Sequence, residues 1–188
     1  MRVGEASSDA YSRSRNAEAL LNVIAELGHQ ALSIGELDNP FDEFQNKVLF
    51  YGSFGGTKPE IADILSAELG EKIEEDQIAE ARDQIIAHYE DAPNFAAAVA
   101  RAIENKHLLI EVNKNPSVDE SLSKQDLALI KIFREGKDMR GARKILGIQR
   151  SNMKRLMPSF CNKLSANGRT HSVRRSYELG ILMPESQS

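Results

Sequence analysis

Apolar residues recur at three- and four-residue spacing along most of the chain, and strict alternation is almost absent. That period is the signature of helices burying one face, so an all-α protein is expected. Residues 1–15 are polar and aperiodic and read as a flexible leader. Asn16 as N-cap and Glu18 in the first turn then open an apolar stripe of Ala17, Leu20, Leu21, Ile24, Ala25 and Leu27 that stops at Gly28. Residues 16–39 are therefore expected to form one amphipathic helix and a connector. A single helix cannot bury its own stripe, so this one must dock on the body or on a second subunit.

Residues 40–110 predict four helices. The first carries Phe44, Val48 and Leu49 and ends at the glycine-rich break of Gly52 to Gly56. The second starts near Thr57, whose spacing to Glu60 is that of a capping box, and turns Ile61, Ala62 and Leu65 inward. The third spans about Glu74 to Tyr89, with Ile78, Ile85 and Ile86 inward. The fourth follows Pro93 and runs through Val99, Ala102 and Ile103 to Leu108-Leu109. Residues 111–121, with Asn113, Asn115-Pro116, Ser117 and Asp119-Glu120, read as a linker. Residues 122–182 predict four more helices, about Lys124 to Arg134, Met139 to Leu146, Gln149 to Leu164 and His171 to Leu179, with Gly136, Gly147 and Gly168 at the breaks. Residues 183–188 are a tail.

One junction stands out. Leu146-Gly147-Ile148 is a tight turn between a short helix and a polar, basic one, the order of a helix-turn-helix. On the second helix Met153, Leu156, Phe160 and Leu164 share the packed face, while Arg150, Ser151, Lys154 and Arg155 share the other. With Gln149 and Asn152 nearby, that face offers donors to phosphate oxygens and base edges. The plain alternative is a solvated basic face.

Charge sharpens the contrast. The chain has 188 residues and a net charge of −4. Between Leu122 and Leu182 there are 14 Lys and Arg against 4 Asp and Glu, a net of +10, and the remaining residues carry −14. Such asymmetry points to a nucleic-acid-facing part joined to an acidic one. No apolar run is long enough to span a bilayer, and the N-terminus lacks the apolar segment of a secretory signal. A single cysteine, Cys161, excludes an internal disulfide and fits a reducing, cytoplasmic setting.

Catalytic and metal chemistry find no foothold. His29, His88, His107 and His171 have no partner at a metal-ligand spacing. Gly52-Ser53-Phe54-Gly55-Gly56 lacks the Gly-Lys-Ser/Thr ending of a phosphate loop. Glu74-Glu75-Asp76 reads as a helix N-terminus stabilised by the macrodipole. Cys161, beside inward Phe160, reads as a buried thiol. The expectation is a non-enzyme with no cofactor and no metal.

The second set of helices resembles the LuxR-type (GerE-like) helix-turn-helix domain. The matching residues are Leu122-Ser123 at the opening, Gly136 after the first helix, Leu146-Gly147-Ile148 at the turn, Lys163-Leu164 at the end of the recognition helix, and Arg169, Val173 and Gly180-Ile181-Leu182 in and after the last helix. Gly141-Ala142-Arg143, Asn152-Met153 and Pro158 depart from the family pattern, so base preference does not carry over. Pro158 is expected to bend its helix. The first set is similar to the same pattern through Phe41, Val48-Leu49, Gly55, Thr57, Glu60-Ile61-Ala62, Leu65 and Val99-Ala100-Arg101-Ala102, with about six extra residues near Ser66 to Lys72. Its counterpart of the recognition helix, Glu74 to Glu80, has the wrong sign for DNA.

The resemblance implies two tandem four-helix modules and a cytoplasmic regulator of transcription that works on the nucleoid. Its DNA contacts would be Arg150, Ser151, Asn152, Lys154 and Arg155 in the groove, and Lys144, Lys163 and Arg169 on phosphates. Its partners would be double-stranded DNA and either a second copy or another LuxR-type regulator, with no membrane. The last helix of such domains commonly mediates pairing. Phe95, Val99, Ala102 and Ile103 could meet Val173, Ser176 and Tyr177 of the same chain or of another. The acidic module would then serve interaction or dimerisation, or cover the basic module. Two alternatives stay open: an antiactivator that pairs with another LuxR-type regulator, and a sigma-factor-like promoter reader.

Overall fold

The computed structural model describes residues 39–113, 118 and 121–183. Every bounded element among them is a helix: α1 (Glu43–Ser53), α2 (Lys58–Leu69), α3 (Glu75–His88), α4 (Phe95–Glu104), α5 (Lys124–Arg134), α6 (Met139–Leu146), α7 (Arg150–Lys163) and α8 (Arg169–Glu178). The all-α expectation holds for these residues. The amphipathic helix expected over 16–27 lies outside them.

Local signals explain most helix starts. The Asp42 carboxylate accepts the Gln45 N–H while the Gln45 amide accepts the Asp42 N–H, closing a capping box on α1. At α2 the Glu60 carboxylate accepts both the N–H and the hydroxyl of Thr57 at 2.8 Å. Asp138 caps α6 through the Gly141 N–H at 2.7 Å. Two boundaries differ from expectation. Helix α4 stops at Glu104 instead of running to Leu108-Leu109. Lys106 takes φ +62°, and the Leu108 N–H turns back to the Ala102 carbonyl at 2.9 Å. Helix α8 begins at Arg169, two residues before His171. Helix α7 continues through Pro158 without a break. In the expected linker, the Asn113 N–H donates to the Glu178 carbonyl at 2.6 Å, and Val118 and Ser121 are helical.

The two sets of four helices agree in length in three of their four pairs. Helices α1 and α5 both have 11 residues, α3 and α7 both have 14, and α4 and α8 both have 10. Only α2 and α6 differ, at 12 and 8 residues. The turns agree in their hydrogen bonds. After α1, Gly55 donates to Gly52 and Gly56 to Tyr51; after α5, Gly136 donates to Phe133 and Lys137 to Ile132. After α8, Gly180 at φ +71° and the Leu182 N–H to the Ser176 carbonyl repeat the ending of α4.

The sets pack through their last helices. Helix α4 lies against α8, and reciprocally α4 lies against α5 and α8 against α1. The close approaches are reciprocal too. A Cβ on Gly136 would stand 2.5 Å from Pro93 Cγ and 3.0 Å from Ala97 Cβ; one on Gly55 would stand 3.6 Å from Asn167 Cβ and 3.4 Å from His171 Cβ. Helix α4 is buried nearly all round, from Ala96 to Ala100 and again at Ala102 and Ile103, as expected for a helix with neighbours on every side. Its alanines let those neighbours come close. One continuous core joins Val48, Leu65, Ile78, Ile85 and Val99 to Leu129, Phe133, Phe160, Leu164, Val173 and Tyr177.

The seam between the sets also holds charge. Glu104 at the end of α4 accepts Arg134 at 2.6 Å and the Tyr177 hydroxyl, while Arg101 bonds its other oxygen at 2.6 Å. Arg174, only 5% exposed on α8, donates to Ser53 of α1 at 2.7 Å and to Glu178 at 2.5 Å, and its guanidinium lies 3.7 Å from the centre of the Phe54 ring. Of the four residues expected to meet α8, Val99, Ala102 and Ile103 are buried; Phe95 instead turns toward α1 and α3, with Arg82 4.7 Å above its ring and the backbone of Gly52 beneath.

Candidate nucleic-acid interface

Gly147 sets the geometry of the candidate face. Its φ of +64° ends α6 in the left-handed region that favours glycine. The Ile148 N–H returns to the Arg143 carbonyl at 3.1 Å and the Gly147 N–H to Lys144 at 3.3 Å, the paired bonds of a Schellman ending. Gln149 then caps α7, and Met153, Phe160 and Leu164 anchor that helix inward at 3%, 0% and 0% exposure. With those three fixed, the helical period turns the polar side outward.

The outward side carries five of the eight expected contact residues. Arg150, Ser151, Asn152, Lys154 and Arg155 are all exposed, and so is Lys144 on α6. Arg150, Lys154 and Arg155 of α7 and Lys144 of α6 are exposed, so each can exchange water for a phosphate oxygen. The acidic helices do not cover them. The remaining two expected residues are placed differently. The Lys163 ammonium donates to Asp126 Oδ2 at 2.7 Å, and Asp126 is 1% exposed. Burial alone would raise the Asp126 carboxyl, but Lys163 and the N–H and hydroxyl of Ser123 outweigh it and hold it below the ordinary carboxylate range. Lys163 is thus tied into the fold. Arg169 is half-buried at the start of α8, 3.5 Å from the Lys137 carbonyl; burial lowers its pKa, partly offset by Asp138.

Further residues join the face. Arg140 is exposed and Arg143 half-exposed on α6, and Ile145 is 57% exposed beside Lys144. The signal for the two arginines was present in the sequence as an absence of acid: residues 139–164 hold seven Lys and Arg and no Asp or Glu. The corresponding stretch of the first set, 58–89, holds three Lys and Arg against nine Asp and Glu. Counting along the two 14-residue helices, Glu75 stands where α7 has Arg150 and Glu80 where it has Arg155, while buried Ile78 and Ile85 stand where it has Met153 and Phe160. The packed positions keep their character, two of the three exposed cations become acids, and Lys154 falls on Ala79.

Reactive side chains are occupied elsewhere. Burial raises the Cys161 thiol, only slightly countered by Ser172 at 3.8 Å, which disfavours a thiolate. The Tyr89 hydroxyl shares a hydrogen bond with His107 Nδ1 at 2.8 Å. Among the described residues no three His, Cys, Asp or Glu are placed to hold a metal ion, and no helix is long and apolar enough to cross a membrane. No protein-family model, curated protein or solved structure matches the chain.

Proposed function

We propose that the chain is a DNA-binding regulator of transcription built from two copies of one LuxR-type four-helix module, of which the second reads duplex DNA. The observation that carries the DNA contact is the exposed, acid-free cationic face of α6 and α7, presented by a helix that follows the Gly147 turn. Arg150, Ser151, Asn152, Lys154 and Arg155 face the major groove, and Lys144 with Arg140 meets phosphates. Lys163 acts as a structural cation here. The duplication is supported by the matched helix lengths and turns and by the longer α2 and its following loop. These fall in the region where the sequence comparison of the two halves needs extra residues.

The test is fluorescence anisotropy of the full chain with labelled duplex over a salt series. Five exposed cations engaged with phosphate or base give a slope of log affinity against log salt of about −4 to −5. Arg150→Ala changes which duplex wins in competition, whereas Lys144→Ala weakens all duplexes alike and flattens the slope by about 1. No retention of duplex at low salt overturns the proposal. The antiactivator alternative needs α8 free to pair with another regulator. Against it speak the bonds that Tyr177 and Arg174 of α8 already make to Glu104 and Ser53 of the first set.

A further inference from the structure

We infer that the chain engages duplex DNA as a single copy, at one non-palindromic half-site, because the surface that would pair two reading modules is closed inside the chain on an acidic counterpart. This rests on the DNA-binding role proposed above and adds the form of the site. A two-fold interface is recognised by reciprocity: residue i meets j while j's equivalent meets i's equivalent. The chain has that reciprocity internally. Helix α4 meets α5 as α8 meets α1, and Gly136 approaches Pro93 and Ala97 as Gly55 approaches Asn167 and His171. The two sets are thus arranged as the halves of a dimer would be, around α4 and α8.

That pseudo-symmetry carries α7 onto α3, and there the chemistry fails. Glu75 and Glu80 replace Arg150 and Arg155, and Glu74 and Asp76 are exposed beside them. A symmetric reader gains from an inverted repeat because each half neutralises its own phosphates. Among the described helices there is one cationic head to offer, and a second phosphate backbone brought to α3 is repelled. A second chain cannot supply the missing head through α8, whose His171, Arg174 and Tyr177 are already engaged by Phe54, Ser53 and Glu104 of the first set. Palindromic DNA therefore gives no gain beyond the statistical factor of having two sites.

The experiment selects duplexes from a randomised pool with the full chain. It then compares one selected site with an inverted repeat of it at about 10 bp centre-to-centre spacing, by anisotropy and by native mass spectrometry of the complexes. The expected result is selected sequences without dyad symmetry, one chain per single site, and an affinity for the repeat within about twofold of the single site. Cooperative loading of two chains with a gain above about tenfold, or selected sequences that are inverted repeats, overturns the single-copy inference while leaving DNA binding intact. Failure to select any duplex at low salt overturns the proposed function, and this inference with it.

Discussion

Gly136→Ala tests whether the two sets of helices close on each other as described. Two penalties act at this position. The φ of +75° is left-handed, which costs an L-residue about 1–2 kcal/mol. A new Cβ would also stand 2.5 Å from Pro93 Cγ, 2.9 Å from Pro93 Cδ and 3.0 Å from Ala97 Cβ. Pro93 is a stiff ring and Ala97 lies on the buried face of α4, so neither can step aside as a long side chain would. Relieving that overlap costs a further amount of about 1–3 kcal/mol. Gly147→Ala is the matched control. It has φ +64° and nothing within 4 Å of its Cβ, so it carries the backbone penalty alone. Gly55→Ala, with its nearest neighbour at 3.4 Å, should resemble the control. Urea unfolding at pH 7.5, followed by far-UV circular dichroism, gives all three stabilities. The expected order places Gly136→Ala about 1–3 kcal/mol below Gly147→Ala. Equal losses at the two positions refute the seam, because the extra penalty at Gly136 comes from Pro93 and Ala97 across it.

Lys163→Ala leaves buried Asp126 without its cation, and Asp126 Oδ1 already lacks a hydrogen-bond partner. A stability loss of about 2 kcal/mol is expected in urea unfolding, because Ser123 still serves the other oxygen and Lys163 is partly exposed. A loss of DNA affinity with unchanged stability would contradict this placement. His171 is held neutral: burial, chiefly, lowers its pKa to about 4, Glu178 opposes, and Arg174 and Arg175 add to the lowering; the Asn167 N–H donates to Nδ1 at 3.1 Å. The unfolded chain takes up this proton near pH 6.5 and the folded chain only near 4, so stability present above pH 6.5 falls as the pH drops through that window. Between pH 7.5 and 5, above the carboxylate range, the loss is about 2 kcal/mol. His171→Gln should flatten the dependence, and an unchanged slope would show that another group titrates.

How much of this was legible in the sequence differs from feature to feature. Helices with one buried stripe were readable because period and burial coincide: Met153, Phe160 and Leu164 on α7, and Ile78 and Ile85 on α3, were named from spacing and are buried. The exposed cations of α7 followed from the same geometry by exclusion. Helix α8 was not readable in this way. Its buried residues include His171, Ser172, Arg174 and Ser176, and no pattern of hydrophobicity marks them. They are inside because Ser53 and Glu178 meet the Arg174 guanidinium, Asn167 meets His171, and Ser176 bonds the Ser172 carbonyl. Lys163 reads as a phosphate contact for a related reason: its pairing with buried Asp126 cannot be seen from a charge at an apparently exposed helix end. The end of α4 was missed because its stop signal is Lys106 at positive φ, where glycine usually marks the place.

The polar seam has a consequence for experiments that divide the chain. A buried ion pair contributes little net stability when both charges are matched, but removing one partner strands the other. Arg174 on α8 depends on Ser53, Phe50 and Phe54 of the first set, and Arg134 and Tyr177 of the second set depend on Glu104 of the first. Deleting residues 1–112 therefore does more than remove an acidic neighbour. It uncovers His171, Tyr177 and the Arg174–Glu178 pair together, a face that is part aromatic and part charged. Such a face favours self-association through α8, the pairing that the intact chain keeps within itself. Tighter DNA binding by the isolated second set would then reflect a new dimer as readily as the release of an acidic restraint. The two causes separate by concentration: a restraint acts at any protein concentration, whereas dimerisation makes the apparent affinity rise with it. The exposure of Arg150, Lys154 and Arg155 argues that the described acidic helices impose no restraint by direct cover.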